Sequence, residues 1–379
     1  MPSDVPSWRQ FRQAMPVAKK WAYFDHAAVA PLPEAARMAI AAWLDEAADE
    51  GDTNWQSWSR QVEATRIAAA KLLGATAAEV ALLHSTTEGI NLVAEGLDLR
   101  SGDNIVTLDN EFPSNAYPWL NQAYRGVETR RVATDDGRVD LDRLAEACDE
   151  RTRVVSVSWV GYASGYRVDL AAVAEIAHCR GAFLFVDAIQ GLGVFPLDVS
   201  NTPIDFLAAD GHKWLLGPEG AGLFYVRREL LERLRVVGVG WHSVPHASDY
   251  SRIELVFKPT AARFEGGTQN MAGFIGLGAS LELLNLHGTQ AISRQVLAMT
   301  DLACEELSEL GAIIHSHREG DCRSGIVSFE LPGQDPQALR QKCLTRGVAL
   351  ACRNGRLRIA PHGYACEEDV ERLVEALGG

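Results

Sequence analysis

The chain has 379 residues, which is too long for one compact core and predicts about two domains. Hydrophobic residues make up 47% of it and charged residues 23%, as in an ordinary globular protein. The formal net charge of −14 argues against nonspecific binding to nucleic acid or to an anionic membrane, because both require a basic face.

Cysteine usage and hydropathy exclude further classes. The seven cysteines are scattered and odd in number, and none forms a CxxC pair, so the sequence predicts neither a disulfide framework nor a metal site. The first 24 residues contain no continuous apolar run, so we expect no signal peptide. The sequence contains no run of about 18 apolar residues, so it predicts no membrane span. We therefore expect a cytoplasmic protein.

Short apolar runs alternate with longer amphipathic segments up to about residue 270. Strands are predicted over 79–85, 104–109, 153–160, 182–188 and 221–227, and helices between them over 86–97 and 170–181. Several of the strands are apolar on both faces, as buried parallel strands are. The alternation predicts an α/β domain with a mostly parallel sheet, in which ligands bind outside the carboxyl ends of the strands.

The pattern changes after residue 270. The sequence there predicts helices over 271–288, 291–311, near 336–346 and near 367–377, a strand over 324–331 and a hairpin within 348–361. This order is typical of a smaller α+β domain. We expect a large domain over 21–269 and a small C-terminal domain over 270–379 that also includes residues 1–20.

Two charged residues follow apolar segments at predicted strand ends. Asp187 comes directly after the run FLFV, and Lys213 closes the segment DFLAADGHK. A carboxylate at the end of a buried strand is costly unless it has a partner. Taken alone, an aspartate such as Asp187 is more commonly a turn or helix-cap residue, and a lysine such as Lys213 a surface residue. At the ends of neighbouring strands, the two would face one crevice.

Pyridoxal phosphate needs both of these groups. A lysine amine forms a Schiff base with its aldehyde, and an aspartate pairs with its protonated pyridine nitrogen. Ser85, Thr86 and Thr87 follow a predicted strand and open a predicted helix, whose N-terminal amides favour a phosphate. That stretch is equally an ordinary helix cap, but the three elements together favour a cofactor site.

Seven motifs in order make the chain resemble the class V aminotransferase branch of fold-type I pyridoxal-phosphate enzymes. This branch includes cysteine desulfurases, selenocysteine lyases and isopenicillin N epimerases. The motifs are YFDHAAVAPLP (23–33), STTEGIN (85–91), EFPSNAYPW (111–119), VDAIQ (186–190), DGHKW (210–214), RFEGGTQN (263–270) and RLRIAPHGYACEEDVERL (356–373). The resemblance implies a fold-type I transferase with a large, mostly parallel domain and a smaller α+β domain.

The resemblance also implies roles for single residues. Lys213 would carry the cofactor and Asp187 would pair with its ring nitrogen. Around them, Gln190 would contact the phenolic oxygen, Phe112 would stack on the ring, and Thr86, Thr87 and His212 would hold the phosphate. Thr268 would reach the phosphate of a partner subunit, which implies a homodimer. Arg358 would bind the substrate carboxylate, since a guanidinium matches a carboxylate bidentately.

Some positions depart from the pattern of desulfurases. Phe112 stands where they usually have a histidine, and a phenylalanine can stack but cannot titrate. Trp159 replaces an asparagine near the ring. Asp210 replaces a phosphate-contacting serine, and because a carboxylate repels a phosphate we expect it to turn away or to meet a cation such as His212.

The largest departure concerns cysteine. Desulfurases carry a nucleophilic cysteine on a mobile loop, but here a predicted hairpin with an Asn354-Gly355 turn separates Cys352 from Arg358. We expect Cys352 to be a packing residue. Three hypotheses remain: an aminotransferase or epimerase acting at Cα of an amino acid, a desulfurase-like C–S lyase without the usual cysteine loop, and a cofactor-binding protein without catalysis.

Overall fold

A seven-stranded sheet forms the centre of the computed structural model, which describes residues 7–379. Its strands are β2 (Val80–Leu83), β3 (Asn104–Leu108), β4 (Glu128–Val132), β5 (Thr152–Ser158), β6 (Phe183–Asp187), β7 (Phe206–Asp210) and β8 (Gly222–Val226). They lie in the order β2-β8-β7-β6-β5-β3-β4. All neighbouring pairs are parallel except those of β8, which runs antiparallel to both β7 and β2.

Both faces of this sheet are buried. Along β6, Leu184 and Val186 belong to one hydrophobic cluster and Phe185 to another, as the alternation of side chains along a strand requires. The α-helices within residues 7–287 are α1 (Trp8–Gln13), α2 (Glu34–Glu50), α3 (Trp55–Leu73), α4 (Thr86–Gly96), α5 (Tyr117–Asn121), α6 (Leu141–Ala147), α7 (Leu170–His178) and α8 (Met271–His287). This burial on two sides explains the continuous apolar runs of the strands.

The C-terminal segment forms a second, smaller group of helices and strands. It contains α9 (Thr289–Glu309), α10 (Pro336–Thr345), α11 (Glu367–Gly378) and the strands β9 (Ile313–Ile314), β10 (Val327–Glu330), β11 (Val348–Ala349), β12 (Ala351–Arg353) and β13 (Arg356–Ile359). Four of these strands form an antiparallel sheet in the order β12-β13-β10-β9. The fifth, β11, pairs in parallel with β1 (Ala22–Tyr23).

The division into domains at 21–269 and 270–379 stays a prediction. Residues of α8, such as Phe274 and Leu281, pack in the larger cluster beside the central sheet. Ala22 and Phe24, by contrast, pack with the C-terminal residues Phe329 and Leu350. The two ends of the chain thus share one small core.

The direction of the strands places the carboxyl ends of β2, β6 and β7 at one edge. β6 and β7 are parallel neighbours. β2 runs in the same direction as β7, because β8 lies between them and is antiparallel to both. Asp187 is the last residue of β6, and Lys213 follows β7 after two residues. The predicted α/β fold with a mostly parallel sheet is confirmed. Within residues 7–379, no helix is both long and apolar enough to cross a membrane.

Candidate active site

A cavity of about 300 Å³ lies at this edge of the sheet. Eight of the nine site residues predicted from sequence line it: Thr86, Thr87, Phe112, Asp187, Gln190, His212, Lys213 and Arg358. They come from five separate stretches of the chain. The fold therefore brings together residues that the sequence only places in order.

The two charged groups at the centre of the cavity are buried. Burial lowers the pKa of Lys213 to about 8, although the charge of Asp187 opposes this. Burial raises the pKa of Asp187 to about 6, against the influence of the Ile189 backbone N–H and of Lys213. That N–H donates to Asp187 Oδ1 at 3.0 Å. Shifted pKa values of this kind are typical of active-site groups.

The start of α4 forms one end of the cavity. Ser85 caps this helix, since its hydroxyl accepts the backbone N–H of Glu88 at 3.1 Å. Thr86 Oγ1 accepts the backbone N–H of Asp210 at 2.8 Å, and Thr87 Oγ1 donates to Ser114 at 2.9 Å. The first-turn amides of a helix have no partner within it, so this end favours an anion.

Asp210 lies beside His212, the neighbour that the sequence suggested for it. Its Oδ2 lies 3.1 Å from Nδ1 of His212. The other oxygen, Oδ1, is buried and has no hydrogen-bond partner among the described residues. The carboxylate is thus turned toward the histidine at the edge of the cavity.

Gln190 and Phe112 form the walls of the cavity. Gln190 Oε1 accepts the indole N–H of Trp214 at 2.8 Å, and its Nε2 donates to the Ala27 carbonyl at 3.0 Å. These bonds fix the amide and leave one of its N–H groups for a ligand. The ring of Phe112 lies 5.5 Å from Lys213 Nζ. Trp159, by contrast, is a buried core residue that does not line the cavity.

Arg358 is held at the opposite side. It is almost completely buried, donates through Nη1 to the Tyr162 carbonyl at 2.6 Å and lies 3.3 Å from Asp25. Its Nε is buried without a hydrogen-bond partner among the described residues. Burial lowers the pKa of Arg358 to about 10, so the side chain stays charged at neutral pH.

Thr268 is the predicted site residue that lies elsewhere. It is exposed and lines a second cavity of about 320 Å³ with His84, Gly266 and Gly267. Its predicted contact is with a partner subunit, so a position outside the Lys213 cavity of one chain is compatible with that role. The role itself stays a prediction.

Comparison with known proteins identifies the family. The model of the class V aminotransferase family matches residues 22–373. A probable cysteine desulfurase from Methanothermobacter thermautotrophicus is 32% identical, with 97% of this chain and 96% of that protein covered. A cysteine desulfurase from Klebsiella pneumoniae is 34% identical, with 82% and 78% covered. The chain belongs to the class V aminotransferase family.

Solved structures agree with this assignment. The apo cysteine desulfurase of Thermococcus onnurineus superposes with a TM-score of 0.88 at 27% identity, with 99% of this chain and 97% of that chain covered. The cysteine desulfurase CsdA of Escherichia coli gives 0.87 at 28% identity, with 98% of each chain covered. The predicted fold-type I architecture of a pyridoxal-phosphate-dependent class V enzyme is confirmed.

The residues of this class V chain fit the cofactor. A buried carboxylate suits the ring nitrogen, a lysine of lowered pKa suits the aldehyde, and the start of α4 suits the phosphate. Arg358 lines the cavity, and its Nε has no hydrogen-bond partner within residues 7–379, which is compatible with a ligand at this guanidinium.

Sequence reasoning missed three residues of the site. Glu111 is half-buried and lines the cavity that adjoins this one, where Ser158 donates to it through both its backbone N–H, at 2.7 Å, and its hydroxyl. Burial raises the pKa of Glu111 to about 7. Tyr162 lines the cavity and Asp25 pairs with Arg358. The only sequence signal for Glu111 and Asp25 is that both lie inside motifs of the family.

Proposed function

We propose that the protein is a pyridoxal-phosphate enzyme that acts at Cα of an α-amino acid, as an aminotransferase or an epimerase. One observation carries the proposal: Lys213, Asp187 and Arg358 line a single cavity. Chemistry at Cα requires a base, a carboxylate that pairs with the protonated ring nitrogen, and a cation that binds the substrate carboxylate, and these are the groups of Lys213, Asp187 and Arg358.

Lys213 has two tasks in this proposal. It anchors the cofactor, and its amine, once released, takes up and returns the Cα proton. A pKa near 8 suits the second task, because a base works best when its pKa lies near the working pH. When bound, the cofactor supplies an electron sink for the charge that develops at Cα. Asp187 keeps that sink protonated at the ring nitrogen.

Arg358 orients the amino acid. Its contacts with Asp25 and with the Tyr162 carbonyl hold the guanidinium in place. A guanidinium held in this way can bind a carboxylate through two parallel hydrogen bonds. The substrate Cα is then fixed relative to Lys213, which is the positioning on which proton transfer depends.

The relatives named cysteine desulfurase favour a second candidate, a lyase that breaks a C–S bond. Cys352 bears on its mechanism. Cys352 lies on β12 opposite Leu357, and Asn354 and Gly355 alone connect β12 with β13. A strand residue beside a two-residue turn has no mobile loop to carry it to a substrate. Such a lyase would work without attack by Cys352.

The third hypothesis, a binding protein without catalysis, has less support. Lys213, Asp187 and Arg358 are all present and line one cavity. We further propose that the active unit is a homodimer in which Thr268 completes the phosphate site of the partner. The cytoplasmic location stays a prediction.

Hydrogen exchange at Cα tests the proposal. The holoenzyme is incubated in deuterium oxide with a panel of α-amino acids, and loss of the Cα–H signal is followed by NMR while keto acid, inverted amino acid and sulfide are measured separately. We expect exchange with keto acid or inverted product, and no exchange by Lys213→Ala. Sulfide as the main product would favour the lyase, and no exchange with any amino acid would contradict both.

A further inference from the structure

The hairpin that carries Arg358 presents three arginines on one face. In the register of β12 and β13, Arg353 lies opposite Arg356, and Ala351 lies opposite Arg358. Residues two apart on a strand, and residues directly opposite on its partner, share a face. Arg353, Arg356 and Arg358 therefore point to the same side.

Two of these three arginines already have carboxylate partners. Arg358 lies 3.3 Å from Asp25, and Arg356 lies 2.8 Å from Asp136. Arg353 is exposed, and its Nη1 donates to the carbonyl of the preceding Cys352 at 2.9 Å. Within residues 7–379 no carboxylate oxygen lies within 4.0 Å of it, so its charge is available to a ligand.

Arg353 lies where two cavities adjoin. Together with Tyr162 it lines both the Lys213 cavity and a neighbouring cavity of about 430 Å³. Its charge also reaches the centre of the site, since it is one of the weaker influences, after burial, that lower the pKa of Lys213. A substrate that extends from Lys213 into the second cavity must pass this guanidinium.

Acidic residues in the second cavity are engaged with other partners. Asp136 is paired with Arg356, and Asp109 Oδ1 accepts the backbone N–H and the hydroxyl of Thr134. Both carboxylate oxygens of Glu111 accept hydrogen bonds from Ser158. Of the two arginines that line this cavity, Arg353 is the one without a carboxylate partner within residues 7–379, so it is the group there that would attract an anionic ligand.

The spacing of Arg353 and Arg358 sets the size of that ligand. They are diagonal neighbours across the hairpin, and side chains so placed start about 7–8 Å apart. Two carboxylates joined by a few methylene groups can contact both guanidinium groups. A short amino acid with an apolar side chain would leave Arg353 without a partner.

We propose that Arg353 binds a second, distal carboxylate of the substrate, so that the enzyme acts on an α-amino acid with an acidic side chain. This inference rests on the proposed function, because Arg358 must bind the α-carboxylate. Arg353 would then set specificity while Arg358 sets orientation.

Calorimetric binding to the holoenzyme tests this without turnover. The probes are glutarate and its monoamide, which share a carbon chain, differ in one charge and have no amino group to react. We expect glutarate to bind about tenfold tighter or more, since a charge-assisted pair is lost with the amide. Arg353→Gln should reduce glutarate binding to that of the monoamide. Arg346→Gln, which removes one positive charge from an exposed site, is the matched control and should keep the preference.

The outcomes separate this inference from the proposed function. Equal binding of both probes by the wild-type protein, with both lost in Arg358→Gln, would overturn the role of Arg353 alone. A preference for glutarate that survives Arg353→Gln would overturn it as well. No binding of either probe, or binding unchanged in Arg358→Gln, would overturn the carboxylate site and both proposals with it. A glutamate-over-glutamine preference in KM that disappears in Arg353→Gln would support it.

Discussion

Replacing Asp187 by asparagine should stabilise the apoprotein while it damages the enzyme. Asp187 is buried, and the hydrogen-bond partner found for its carboxylate is the backbone N–H of Ile189. Asparagine Oδ1 can accept the same N–H without a charge. The wild-type carboxylate therefore lowers the stability of the folded apoprotein, as groups that are needed for function often do.

The size and sign of this effect follow from the pKa of Asp187. The folded-state value of about 6 lies about two units above the ordinary 3.8, which corresponds to about 3 kcal/mol at 1.36 kcal/mol per unit. Because the folded state binds the proton more tightly, the wild-type apoprotein loses this stability as the pH rises from about 4 to about 6. Below pH 4 the two proteins should be equally stable, and above pH 6 the full difference should appear.

Thermal unfolding of the apoproteins at several pH values measures the difference, which for a chain of this size amounts to a few degrees. Asp205→Asn is the matched control. Asp205 is equally buried, but it pairs with Arg227 at 3.0 Å and with His178 at 2.8 Å, so this variant should be destabilised. An Asp187→Asn apoprotein that is less stable than wild type at pH 8, or a stability difference that does not vary with pH, would show that the buried Asp187 carboxylate does not destabilise the apoprotein.

Three further changes test single residues. Cys352→Ser should leave the main activity within about twofold in a steady-state assay, because the side chain lies on a strand outside the cavity; loss of sulfide release alone would reveal a desulfurase. Arg358→Lys should raise KM for a carboxylate substrate by about tenfold or more, since the bidentate contact is lost, and an unchanged KM would contradict its role. Mixed Lys213→Ala and Thr268→Ala proteins, each inactive alone, should regain activity if two chains share each site, and a fully active monomer in sedimentation would exclude sharing.

The sequence predicted the parts of the site that local patterns encode. Asp187 and Lys213 were found because each follows an apolar run, and the structure places both runs as neighbouring parallel strands. Thr86 was found because hydroxyl residues before a helix are a start signal. The expected strand at 221–227 is also present, but its antiparallel direction follows from the tertiary arrangement, which no periodicity reports.

Contacts between distant segments could not be predicted in the same way. Glu111 precedes a turn-rich stretch and resembles a surface glutamate in the sequence, and only the fold brings Ser158, at the end of β5, within hydrogen-bond distance of it. Asp25 and Arg358 are far apart in the chain and meet only when the two ends of the protein share a core. Arg356 and Arg358 pair with Asp136 and Asp25, and these long-range pairings, which leave Arg353 without a carboxylate partner among the described residues, cannot be inferred from the sequence.

Borohydride reduction of the purified holoenzyme, followed by peptide mapping, tests whether Lys213 carries the cofactor. We expect the yellow protein to be bleached and the cofactor to become fixed on Lys213, whose buried amine has a pKa of about 8. Labelling of another lysine, or the absence of any bound cofactor, would contradict it.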